Sequence, residues 1–266
     1  MAQSHALKGM VRTLRWLSPG LESAIRRFYF SRQFRVVSHK QLTKVSEDLA
    51  SSWMDDAIPE QQRAVVDRQI ELYRAGKPIQ VFDALIGTLV DNVEGLDSKT
   101  LLEIGCSSGY YCEVLSCRGV SVSYRGCDVS PAFIGLARRL YPSVPFDVED
   151  ATRLSYHSAS FDIVVSGCCL LHIYDYEKAI SEAARVSKEF VVFHRTPVLH
   201  MSGPTFYQKR AYGVEMLEIH FNEQQLLRMF TAHNLQVMDI NSRLSSPVST
   251  DNDVLIYKTY LCRKTL

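Results

Sequence analysis

The stretch Leu101-Leu-Glu-Ile-Gly-Cys-Ser-Ser-Gly-Tyr110 constrains this chain more than any other. An apolar run carrying one acid, Glu103, breaks at Gly105; a second glycine follows at 109, and a helical pattern starts at once. Glycine tolerates a left-handed backbone, so the chain can turn sharply at 105 and again at the helix start. A strand that passes through such a bend into a helix places the bend at the strand's carboxyl end, where open α/β sheets bind their ligands.

The surrounding pattern agrees. After residue 98, β-rich runs at 100–104, 122–127, 145–148, 161–166 and 190–194 alternate with helical patterns at 110–117, 131–141 and 175–187. That alternation predicts a parallel sheet wrapped by helices on both faces, a doubly wound α/β fold. Asn222-Glu-Gln-Gln225 reads as a capping box that opens a helix through Phe230, and 235–240 and 254–261 read as two closing strands in a hairpin. The segment 196–221 is long for a connector, which predicts a lid or binding loop, or else a short helix over the sheet.

Before residue 96 the signals are helical. Met10, Leu14, Leu17 and Leu21 share a face, as do Leu21, Ile25 and Phe28, then Leu49 and Trp53, then Val66, Ile70 and Tyr73, then Phe82, Leu85, Leu89 and Val93. The expected organisation is a helical extension or cap over 1–95 and an α/β domain over 96–266.

Charge is uneven. The net charge is +1, but residues 1–40 carry eight Lys/Arg against the single acid Glu22. With Trp16, Phe28, Tyr29, Phe30 and Phe34 interleaved, residues 8–40 suit peripheral contact with an anionic membrane, an organelle-targeting segment, or a solvated extension docked on the acidic remainder. No RNA-binding module is evident, so nucleic acid is not expected as substrate. No apolar run reaches the roughly 18 residues of a bilayer span. The seven cysteines form no C-x-x-C pair, so neither a disulfide framework nor a metal site is expected, and a reducing, cytoplasmic setting is.

The glycine spacing argues against one ligand class. A dinucleotide fold needs G-x-G-x-x-G to receive a pyrophosphate; this chain has G-x-x-x-G with Cys106, Ser107 and Ser108 between. The absent third glycine disfavours a nicotinamide-dependent oxidoreductase. About twenty residues later the second strand ends in Asp128, placed to accept hydrogen bonds from both hydroxyls of a ribose. Val129 follows it, and Glu149-Asp150-Ala151 closes the short strand 145–148.

These elements, with Phe161-Asp-Ile-Val-Val-Ser-Gly-Cys-Cys-Leu-Leu-His172, resemble the motifs of class I S-adenosylmethionine-dependent methyltransferases. The resemblance runs over about 97–195. Gly-Cys-Ser-Ser-Gly-Tyr-Tyr, Gly-Cys-Asp-Val-Ser and His-Arg-Thr-Pro are further similar to uncharacterised bacterial small-molecule members, some associated with glycan clusters. It implies a Rossmann-like, mostly parallel seven-stranded sheet and S-adenosyl-L-methionine as cofactor, held by Glu103, Gly105, Cys106, Ser107, Gly109, Asp128, Val129, Asp150, Ala151 and Cys168. It also implies methyl transfer to a small polar acceptor such as a sugar or glycan hydroxyl. A non-catalytic protein of the same fold, serving a partner complex, is the competing reading.

On the acceptor side His172, after the fourth strand, is the candidate general base; a structural histidine at a strand–helix junction is its rival. His194 and Arg195, with Tyr207 and Tyr212 from the long segment, are the candidate substrate contacts. Trp53, Gln69 and Tyr73 would either close over the cofactor or belong to the core.

Overall fold

A computed structural model describes residues 34–265 apart from 39, 243–247 and 250–252. Most of the basic segment 8–40, with its expected helices and its membrane or targeting role, therefore lies outside the described residues.

The central strand is β2 (Thr100–Ile104), whose Leu101, Leu102 and Ile104 are buried. That is the pattern of a strand covered on both faces. β3 (Ser123–Asp128) and β5 (Phe161–Gly167) flank it in parallel, β4 (Phe146–Val148) extends the sheet beyond β3, and β6 (Ser187–Leu199) extends it beyond β5. β11 (Val254–Lys264) then runs antiparallel against β6, and β9 (Leu235–Asn241) antiparallel against β11. These seven strands have the expected mostly parallel arrangement, within a sheet of eleven strands among the described residues. The closing strands pair antiparallel as expected, and β10 (Val248–Ser249) also pairs with β11.

Alternate residues feed two cores. Val164, Val191 and Phe193 join Ile180, Ala183 and Phe230 on one face, while Ile163, Val165 and Val192 join Phe82, Leu89 and Tyr111 on the other. The first face is covered by α6 (Tyr176–Val186) and α7 (Glu223–Ala232). The second is covered by α2 (Ile58–Arg74), α3 (Gln80–Asn92), α4 (Tyr110–Ser116) and α5 (Pro131–Leu140). The expected starts of two helices are present: the Ser130 side chain accepts from Phe133 N ahead of Pro131, and the Asn222 side chain accepts from Gln225 N at 3.0 Å.

Two departures shape the site. Within the N-terminal stretch, α1 (Leu42–Ala50) is preceded by a strand, β1 (Phe34–Val36), absent from the helical reading. And 196–221 is neither a loop nor a helix. It forms the end of β6, then β7 (Thr205–Ala211) and β8 (Val214–Asn222), an antiparallel hairpin that β1 joins along β7. Val198 and Leu199, beyond the end of β5, pair in parallel with Phe221 and Asn222 and so tie this ribbon to the main sheet. The turn is Tyr212-Gly213, at φ 50° and 82°. Two successive left-handed residues are what a tight hairpin of this twist demands, and tyrosine there gives little sequence warning.

β6 also carries a bulge. Phe193 faces Tyr260 and Thr196 faces Lys258, so His194 and Arg195 together oppose Thr259. Arg195 sits at φ 56°, a geometry that re-aims side chains beside sites.

Candidate functional site

The strand ends enclose one cavity of about 810 Å³, and Gly105, Asp128 and Asp150 all border it. Its volume lies toward the upper end of small-molecule sites, ~300–1,000 Å³, enough for a nucleoside cofactor with a second small molecule. Its lining also includes Ser107, Val129 and Ala151, and Cys168, His172, Arg195 and Tyr212. All of these were singled out from the sequence.

Asp128 is the organising group. Its Oδ2 accepts from Ser107 N at 2.9 Å and its Oδ1 from Ser130 N at 3.0 Å, so one carboxylate ties the glycine bend to the start of α5. Burial pushes its carboxyl up, against the lowering by those backbone N–H groups. Each oxygen keeps a further lone pair for a ligand hydroxyl. Asp150 Oδ1 accepts from the Thr152 N–H and hydroxyl at 2.8 Å each, which orients the carboxylate at the rim.

Backbone strain collects here. Of the six non-glycine residues with positive φ among those described, Ser107 (49°), Cys168 (63°), Arg195 (56°) and Tyr212 (50°) line the cavity. Residues held in sparsely populated conformations cluster at functional sites, and here they come from the bends after β2 and β5, the β6 bulge and the ribbon turn.

Five expected contacts lie off the cavity wall. Glu103 is buried behind it, bonded to the Tyr124 hydroxyl, with Gly167 packed so close that a Cβ there would meet Glu103 Oε1 at 2.2 Å. Cys106 turns inward beneath Gly126. Gly109 caps α4 at φ 74°, where a Cβ would lie 2.4 Å from the Phe146 ring; its glycine serves packing. His194 occupies the inner side of the bulge, its Nε2 2.9 Å from Tyr111 Oη and its Nδ1 2.8 Å from Thr259 Oγ1. Tyr207 packs its ring on His220 at 4.5 Å and on Phe34 at 5.6 Å. Tyr73 likewise belongs to the core, whereas Trp53 and Gln69 reach the cavity.

Burial raises the Glu103 carboxyl to about 8, partly opposed by the Tyr124 hydrogen bond. The folded value exceeds the unfolded one, ~4.3, so the neutral side chain contributes stability that is complete below about pH 4 and is lost as pH rises toward 8. Glu103→Gln mimics the neutral acid. Thermal melts at pH 5, 6.5 and 8 should show wild type declining against the variant; parallel profiles would refute the assignment.

His172 lies in the wall on a short 3-10 turn (Leu170–His172). Its Nδ1 is 2.6 Å from the Leu217 carbonyl oxygen, and a carbonyl only accepts, so Nδ1 carries the proton and Nε2 the lone pair. The Trp53 ring meets it edge-on at 4.9 Å. Burial pushes its pKa down to about 4.

The ribbon adds groups not assigned from sequence. Glu218, fully buried, accepts from the Lys209 ammonium, from His220 Nε2 at 3.2 Å and from the Tyr257 hydroxyl at 3.3 Å. Gln62, Tyr110, Met216 and Tyr257 also line the cavity. The strand alternation on either side of Tyr212-Gly213 was the available signal for the ribbon; Tyr257 had none.

Residues 102–192 match the methyltransferase-domain family. The chain is 32% identical over 95 residues to ajmaline N-methyltransferase of Rauvolfia serpentina, covering 34% of this chain and 32% of that one. It is 32% identical over 117 residues to the ubiquinone biosynthesis O-methyltransferase of Azoarcus sp. (strain BH72), covering 42% of this chain and 49% of that one. The chain thus spans half or less of these curated relatives. The fold is that of 1,6-didemethyltoxoflavin-N1-methyltransferase of Burkholderia thailandensis, solved with 1,6-didemethyltoxoflavin and S-adenosylhomocysteine bound. The TM-score is 0.54 at 17% identity, over 88% of this chain and 95% of that one.

Proposed function

Since residues 102–192 belong to the methyltransferase-domain family on a class I methyltransferase fold, we propose that this chain transfers a methyl group from S-adenosyl-L-methionine to a small polar acceptor. The observation that supports it most is the convergence of Gly105, Asp128, Val129, Asp150 and Ala151 on one cavity, a donor and acceptor set suited to an adenosyl group.

The residues fit that cofactor. Asp128 would offer one acceptor to each ribose hydroxyl, Val129, 40% exposed, would offer an apolar surface to the adenine, and Asp150 with the Ala151 N–H would serve its polar edge. When bound, the cofactor supplies an electrophilic methyl on a sulfonium. The chain's own part is to align the acceptor against it and to take a proton. His172 Nε2 is the proton acceptor at the wall, its ring fixed by the Leu217 carbonyl and Trp53.

A sugar or glycan hydroxyl, the acceptor read from the sequence, is one member of the class this arrangement serves. The relatives named above act on nitrogen and on oxygen, and a lone pair at Nε2 serves either. All seven cysteines are free thiols, which supports a cytoplasmic setting. Among the described residues no helix is long and apolar enough to cross a membrane. We take 1–95 as a cap whose α2 supplies Gln62 and Gln69 to the cavity and 96–266 as the cofactor-binding domain.

Calorimetric titration tests the reading: S-adenosylmethionine and S-adenosylhomocysteine should bind and NAD should not. Asp128→Ala should weaken S-adenosylhomocysteine by about 1–3 kcal/mol, the loss of hydrogen bonds to a charged group. An unchanged affinity would remove the ribose contact and with it the cofactor assignment.

A further inference from the structure

Arg195 is the one charged group in the acceptor-side wall, among the described residues, that nothing neutralises. Lys209 and Glu218 satisfy each other there. Arg195 makes no ion pair; its Nη1 lies 3.7 Å from Cys168 Sγ, and its guanidinium stands 5.7 Å from the centre of the Tyr257 ring. The β6 bulge and a left-handed backbone hold it in that position, where the charge also bears on His172. Arg195 is exposed on the cavity wall, so its guanidinium is open to a ligand, and its planar fork fits a carboxylate bidentately.

Resting on the methyl-transfer reading, we propose that the acceptor is a flat organic monocarboxylate whose carboxylate pairs with Arg195 and whose body lies among Tyr110, Tyr212 and Tyr257. A single free positive charge matches a monoanion; a phosphate dianion would be left half-compensated. The aromatic side chains offer faces and edges to a planar body, in the same cavity that Cys168 and His172 line. This narrows the acceptor from the sugar hydroxyl to a carboxylate-bearing molecule, with Arg195 as its specificity determinant.

The test compares benzoate and 2-naphthoate with benzamide and 2-naphthamide by calorimetry or ligand-observed NMR, with and without saturating S-adenosylhomocysteine. The acids should bind at least about tenfold tighter than the amides. Arg195→Met should erase that preference and Arg195→Lys should retain part of it. Equal binding of acid and amide to wild type overturns the proposal. So does a loss of S-adenosylhomocysteine affinity in Arg195→Met with 5′-methylthioadenosine affinity kept, because the anion served is then the cofactor's own carboxylate. Wild type that binds no S-adenosylhomocysteine sinks the cofactor reading instead, while the comparison of acid and amide without it still reports on Arg195.

Discussion

Glu218→Ala is expected to lose about 3–5 kcal/mol of stability at pH 7, the cost of removing one partner from a buried charged pair. The carboxylate is inaccessible to solvent and accepts from Lys209, His220 and Tyr257, so truncation strands three donors at once. Glu218→Gln keeps the shape but removes the charge and should fall between alanine and wild type. The pH dependence gives a second readout. Burial opposes ionisation, but the His220 hydrogen bond and the Lys209 charge outweigh it and hold the carboxyl well below the usual range. A depressed folded pKa gives stability that is present above the unfolded value, ~4.3, and is lost as pH falls toward the folded one. Urea unfolding of wild type and Glu218→Gln at pH 7 and pH 3 should therefore show the gap narrowing at the lower pH. A gap that is constant or widens would mean that Glu218 is not ionised in the folded chain.

The parts of this molecule that were legible in the sequence are those governed by local chemistry. Gly105 and Gly109 announced left-handed turns, Ser130-Pro131 and Asn222 announced helix starts, and the apolar runs gave the parallel strands their place. Asp128 and Asp150 followed because a residue at a strand's end must face the sheet's carboxyl edge. Pairings set by distant partners were less legible. The β7–β8 ribbon depends on Tyr212 accepting a left-handed conformation that tyrosine rarely adopts, so the segment was legible as a binding element but its strand pairing, which sets Lys209 against Glu218, was not. His194 and Arg195 are adjacent and looked alike; the bulge opposite Thr259 sends the first into the core and the second to the cavity. Glu103 sits behind the wall for a related reason. Its position before the glycine bend is right for a ligand contact, but Tyr124 on the neighbouring strand captures it.

His172→Phe should lower turnover about 10²–10⁴-fold, the span of a positioned proton acceptor, once an acceptor is in hand. Phenylalanine keeps a ring against Trp53, so a loss confined to kcat separates proton transfer from packing; a structural histidine would show its effect in thermal stability and in KM. The pH profile is the sharper test. A solvent-exposed imidazole is half protonated near pH 6.5, whereas burial holds His172 neutral down to about 4. The Leu217 carbonyl fixes the proton on Nδ1, leaving Nε2 ready across the whole neutral range. Such a group is a weak base toward a resting hydroxyl. It becomes adequate once the acceptor oxygen has gained the methyl and turned acidic, when the oxygen's proton moves to Nε2. Activity should therefore stay level from pH 8 to pH 5 and fall only near pH 4. A fall centred near 6.5 would place the proton on another group and return His172 to a purely structural role.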